Sequence, residues 1–144
     1  MSGSMRSVKR RFLSAIALAA LLTAGVGHAA ASSMEVLQGA WTMNGTGCAD
    51  TFKKVGNRLQ FKDRSSSQTT GIIVSGSKIL GPSATCKAEN ILQKGDHFSV
   101  RLSCSDAILF SSFSASFRIV DKTHFERFDP QFPEMSVIYY KCEP

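Results

Sequence analysis

Histidine is scarce in this 144-residue chain: three copies, one of them (His28) in what reads as a leader, leaving His97 and His124. No Gly-x-Ser-x-Gly, His-Glu-x-x-His or phosphate-binding glycine loop occurs. The commonest esterase, zinc-peptidase and nucleotide readings fall with them. Acidic residues number 11 and are scattered, so no carboxylate pair argues for glycosidase chemistry. No two cysteines stand at the Cys-x₂₋₄-Cys spacing that zinc favours. The chain is too short for a doubly wound dinucleotide fold or a (β/α)₈ barrel. No long run keeps a 3.6-residue apolar period, and neither an internal repeat nor a linker stands out. What remains is room for one small domain.

Residues 1–31 read as a Sec-type signal peptide. Arg6, Lys9, Arg10 and Arg11 make a basic start, an apolar run follows from Phe12 to Val26, and Ala29-Ala30-Ala31 suits signal peptidase. The run is shorter than the ~20 residues that span a bilayer, so no membrane span is expected after cleavage. Those four positive charges leave with the leader, and the formal +6 of the full chain becomes +2. A nucleic-acid partner loses its electrostatic support. The expected location is periplasmic or secreted, with residues 32–144 as a single domain.

Cys48, Cys86, Cys104 and Cys142 all lie in that domain. An even count in a small exported chain reads as two disulfides. The rest is mostly strand-like, with short apolar runs punctuated by turns. Expected strands are Ala40–Asn44, Arg58–Lys62, Thr70–Ser75, Lys78–Leu80, Ala84–Gln93, His97–Cys104, Phe113–Val120, Thr123–Phe128 and Ser136–Cys142. Ser33 is suited to cap a short turn over Met34–Leu37, and Asp50 a single turn ended by Gly56.

One hairpin can be read in detail. With Lys94-Gly95-Asp96 as its loop, Gln93 faces His97, Leu92 faces Phe98, Ala88 faces Leu102 and Cys86 faces Cys104. Glu89 then opposes Arg101 on the other face, and Asn90 opposite Val100 is the one misfit. The remaining pair is Cys48–Cys142, which ties an early segment to the last strand. That tie favours an all-β, closed antiparallel barrel of about eight strands, with a sandwich as the alternative. In the loop-entropy picture the short loop contributes ~3 kcal/mol and the long one approaches ~5 kcal/mol.

Gly39-Ala40-Trp41 opens the first strand. A Gly-x-Trp there resembles the lipocalin-type barrels, and among them the small periplasmic barrels of the bacterial metalloprotease-inhibitor kind. The resemblance implies that Trp41 plugs one barrel end and that Gly39 allows close packing. It also implies that Ser32–Gln38 enters a protease cleft. Four cysteines exceed what that family leads one to expect.

Candidate sites follow from these readings. Phe113, Phe117 and Ile119 share one strand face and, with Trp41, are the candidate lining for a small apolar ligand. Met34, Glu35 and Phe132 are the candidate partner contacts, Phe132 lying in a Pro-bounded loop from Phe128 to Met135. His124 with Glu126 is the one conceivable acid–base pair. Ser75-Gly76-Ser77-Lys78 has the Ser-x-x-Lys spacing, but Gly76-Ser77 reads as a hairpin turn. Lys53, Lys54, Arg58, Lys62 and Arg64, interleaved with Phe52 and Phe61, read as a solvated edge. Asn44-Gly45-Thr46 reads as a turn rather than a glycosylation site. The sequence therefore leads to a monomeric, non-enzymatic exported binding protein without metal or cofactor. The first role considered is inhibition of an exported hydrolase; the alternative is a carrier of a small apolar ligand.

Overall fold

The computed structural model describes residues 33–43, 46–66 and 69–144. The leader and the Asn44-Gly45 turn lie outside the described residues. A 3-10 turn at Ser33–Leu37 precedes β1 (Gly39–Met43). One helical turn, α1 (Cys48–Thr51), leads into β2 (Phe52–Val55) and β3 (Arg58–Phe61). Then come β4 (Ile72–Ser75), β5 (Lys78–Leu80), β6 (Thr85–Lys94) and β7 (His97–Ser105). β8 (Phe110–Ile119), β9 (His124–Asp129) and β10 (Phe132–Cys142) complete the chain.

Eight strands close into one antiparallel barrel in the order β1-β10-β9-β8-β7-β6-β5-β4. The sandwich alternative is therefore excluded. Closure runs through β1, which pairs with β10 from Ala40↔Cys142 to Met43↔Tyr139 and with β4 from Gly39↔Val74 to Trp41↔Ile72. Both expected disulfides form: Cys48–Cys142 and Cys86–Cys104.

Period-two alternation sends Trp41, Val74, Ile79, Ala88, Phe98, Val100, Leu102, Phe117, Phe125 and Tyr139 into the barrel. A second, smaller cluster lies outside it. β2 and β3 form a separate hairpin whose Phe52 and Phe61 pack on Ala40 and Cys142. The aromatics interleaved with the basic segment thus face the barrel, while Lys53, Lys54, Arg58 and Lys62 face solvent. Asp50 is inside α1 rather than capping it, and Gly47 precedes the turn without a side-chain cap.

The hairpin reading holds in one half and fails in the other. Cys86↔Cys104, Ala88↔Leu102 and Glu89↔Arg101 pair as expected. A bulge at Asn90-Ile91 then advances the register by one, giving Leu92↔Ser99, Gln93↔Phe98 and Lys94↔His97. Asn90 absorbs the bulge with φ 47°, a left-handed backbone that asparagine tolerates better than most side chains. Ile91 takes the inward position and Leu92, expected inside, is 72% exposed. The misfit of Asn90 opposite Val100 was the local sign of this break.

Two further expectations need correction. Phe128–Met135 is not a loop: β9 and β10 continue to a two-residue turn at Pro130-Gln131, with an irregularity between Phe132 and Ser136. Gly39 is not held by close packing, since a Cβ there meets only Lys141 Cε at 3.7 Å. Its φ of 112° is the reason for glycine. Close approach applies instead at Gly71, where a Cβ lies 2.5 Å from the Trp41 carbonyl oxygen.

Trp41 is 1% exposed, and its ring meets Phe125 edge-on at 4.9 Å. Trp41→Ala should lower unfolding free energy by about 3–5 kcal/mol, as large-to-small core changes do. Chemical denaturation of the oxidised protein checks this.

Candidate functional site

Among the described residues, the two barrel ends differ because only one is stopped. At the first end the 3-10 turn inserts Met34 and Leu37 over the core. The indole Nε1–H of Trp41 donates to the Leu37 carbonyl at 2.8 Å. The Gln38 amide both donates to Gly76 O (3.1 Å) and accepts from Gly76 N–H (2.7 Å). Rings pack above this stop: Phe125 stacks on Tyr139 at 4.6 Å and Phe117 on Phe98 at 5.3 Å, and Phe117 and Tyr139 also reach the cavity beyond. The Lys141 ammonium sits 5.5 Å from the Trp41 ring centre.

The opposite end is open. There the inner faces leave a cavity of about 150 Å³, bounded by Ile72, Ile79, Leu102, Phe113, Phe117 and Tyr139. The loop Gly81–Ala84 forms part of its rim. Arg64 holds that loop, its guanidinium donating to Gly81 O at 2.8 and 3.0 Å. Arg127 and Tyr139 both line the cavity. Burial pushes the Tyr139 phenol above its ordinary 10.0, and Arg127 opposes the shift.

Around this mouth the large apolar side chains are solvent-facing. Ile108 (89%), Leu109 and Phe110 sit at the β7–β8 tip. Phe132 and Met135 sit at the β9–β10 tip, and Phe113 is 40% exposed between them. Asp106 fixes the first tip by accepting from the N–H groups of Ile108 and Leu109, both at 2.7 Å. Those two bonds hold its carboxyl below the usual carboxylate range.

The sequence-expected residues therefore separate. Phe113 and Phe117 line the cavity; Trp41 and Ile119 belong to the stopped half. Met34 is buried, Glu35 is exposed beside it, and Phe132 lies at the far end of the barrel. Ile108 and Leu109 were missed. The only sequence signal was a four-residue apolar run, Ala107–Phe110, following a turn-forming Asp.

His124 does not pair with Glu126. Directly across the ladder Arg118 takes Glu126, and Ser136 hydrogen-bonds it first among the groups lowering its pKa. The His124 Nδ1 instead meets Asp121 at 2.9 Å and the Thr123 hydroxyl at 2.8 Å. Ser75 and Lys78 are opposite each other across the β4–β5 turn, which is the hairpin reading. Among the described residues, no three His, Cys, Asp or Glu side chains gather as a metal site.

Asp121 accepts from the Thr123 N–H and hydroxyl and from His124, which together lower its pKa from 3.8 to about 2. A depressed carboxylate pKa adds stability at higher pH, present above 3.8 and lost as pH falls through about 2. Asp121→Asn should remove that part of the acid transition, read from thermal melts between those pH values.

No family model, curated protein or solved structure matches this chain.

Proposed function

We propose that this is an exported, non-enzymatic binding protein that grips a protein partner with the open end of its barrel. The observation that carries this is the concentration of exposed Ile108, Leu109, Phe110, Phe113, Phe132 and Met135 around one mouth. Apolar groups gathered on a rim mark interaction surfaces, whereas scattered ones need no account. The cavity size points the same way. About 150 Å³ suits a single ring or branched alkyl group, and drug-sized ligands occupy about 300–1,000 Å³. One apolar side chain from a partner fits this space.

Inhibition of an exported hydrolase is the role we assign first, acting through the tip loops. The N-terminal route is less favoured, because Met34 and Leu37 are buried and Gln38 is clasped to Gly76. Two disulfides and the basic-then-apolar leader support export. No described helix is long and apolar enough to cross a membrane.

The carrier reading has one observation in its favour: Arg127 at the apolar cavity suits a small ligand with an anionic group. Native mass spectrometry of protein from its exported fraction separates the two. A retained small molecule supports the carrier; a retained protein supports the gripping mouth.

A photo-crosslinker at Leu109 should capture one partner in the exported fraction. With that partner purified, Ile108→Ser with Phe110→Ser should weaken binding by about 2–4 kcal/mol, read by calorimetry. Unchanged affinity removes the mouth from the interface.

A further inference from the structure

β8 is paired on one side for its whole length and on the other for less than half. Against β7 the ladder runs from Ser105↔Phe110 to His97↔Arg118. Against β9 it covers only Ser116↔Phe128 to Ile119↔Phe125. Past Phe128, β9 goes to Asp129 and turns back at Pro130-Gln131. Among the described residues, no strand pairs with Phe110–Ala115 on the side away from β7.

The phase of the ladder says which groups are left over. In an antiparallel strand, alternate residues direct both N–H and C=O to the same side. The Ile119 N–H donates to Asp96 O in the β6–β7 turn, so Ile119 points toward β7. Counting back by two, Phe117, Ala115, Phe113 and Ser111 do the same. On the other flank the Ala88 N–H donates to Ser77 O, which turns Ala88 away from β7. Propagated across Cys86↔Cys104, that observation leads to the same phase for β8. Phe110, Ser112 and Ser114 therefore present backbone donors and acceptors to the open side.

A row of such groups is a template for another strand. Six residues, about 20 Å, is an ordinary strand length. Beside the Ser114–Ala115 end of the row lies a notch of about 300 Å³, bounded also by Arg127, Phe128, Asp129 and Met135. From 104 to 117 and from 128 to 140 the two tips contain Asp106, Asp129 and Glu134 but no Lys or Arg, so acidic groups outnumber the two nearest cations, Arg127 on the notch wall and Arg101 across the ladder from Ser114. An anionic lipid surface is disfavoured by that charge; a segment with basic flanks is favoured.

We propose that the open edge of β8 at Phe110–Ala115 is a strand-addition site for an extended segment of a partner protein, apolar at its centre and basic at its ends. The incoming strand continues the sheet where β9 leaves it. Its backbone pairs with Phe110, Ser112 and Ser114, and alternate side chains face the mouth beside Phe113. This deepens the binding reading above and rests on it.

The probe is a nine-residue peptide alternating Val and Thr between terminal lysines, added at millimolar concentration to the intact oxidised protein. Amide hydrogen exchange of Phe110, Ser112 and Ser114 should slow by ~tenfold or more, while Ser111 and Phe113, already bonded to β7, should not change. The same peptide methylated on alternate amide nitrogens keeps its side chains and should give no slowing. Ser112→Pro should abolish the effect without breaking the β7 ladder, because that N–H faces the open side. Unchanged exchange, slowing confined to other strands, or equal slowing by the methylated peptide overturns the proposal. So does slowing that grows with protein concentration in the absence of peptide, which assigns the edge to a second copy. These outcomes leave the wider binding reading standing, because Ile108 and Leu109 lie beyond the paired edge. That reading fails separately if the tip substitutions leave partner affinity unchanged.

Discussion

The seam between β1 and β10 is the constraint on which the rest of the molecule depends. Four residues of the first strand pair with the last, and β4 takes the other side of β1. Without this seam the sheet has two long edges and no interior. With it, Trp41, Phe125 and Tyr139 become the contents of a closed space. The Cys48–Cys142 disulfide sits at the same seam, and the β2–β3 hairpin covers it from outside through Phe52 and Phe61. Closure is therefore held by backbone pairing, a covalent link and a second small core, each acting on the same strands.

Closing a barrel creates two ends, and among the described residues only one is stopped. The 3-10 turn, hydrogen-bonded through the Trp41 indole and the Gln38 amide, fills the first. At the other, β8 outruns β9 and the β7–β8 tip extends with its apolar residues unburied. The asymmetry has a direct energetic meaning. Burial of the apolar surface at the first end stabilises the fold; the same kind of surface at the second is left facing solvent. Arg64, reaching from beyond the outer hairpin to the Gly81–Ala84 loop, connects the satellite structure to the rim of the open end.

Much of the barrel was legible locally. Lys78–Leu80 was read with its observed bounds, most other strands within a few residues, and both cysteine pairs correctly. Alternation and turn residues act over a few positions, so a sequence displays them directly. The β6–β7 register shows the limit. Its Cys86–Glu89 half follows the pattern of facing residues, but at Asn90 the chain takes a bulge and Leu92 leaves the core. A bulge trades a regular ladder for a better interior fit, and that fit involves strands distant in sequence.

The candidate site was less legible for the same reason. Phe113, Phe117 and Ile119 share a strand face, as alternation requires, yet the barrel's ends divide them between an open mouth and a filled half. Trp41 and Phe132, both singled out from the sequence, lie at opposite ends. By itself the sequence determined the all-β class, the cysteine pairing and the inward residues of most strands, because these follow from short-range periodicity and spacing. Only the tertiary structure decided which end is stopped and that Ile108 and Leu109 stand exposed. It alone left part of β8 without a paired strand among the described residues, because each of these depends on how far strands from different parts of the chain extend beside one another.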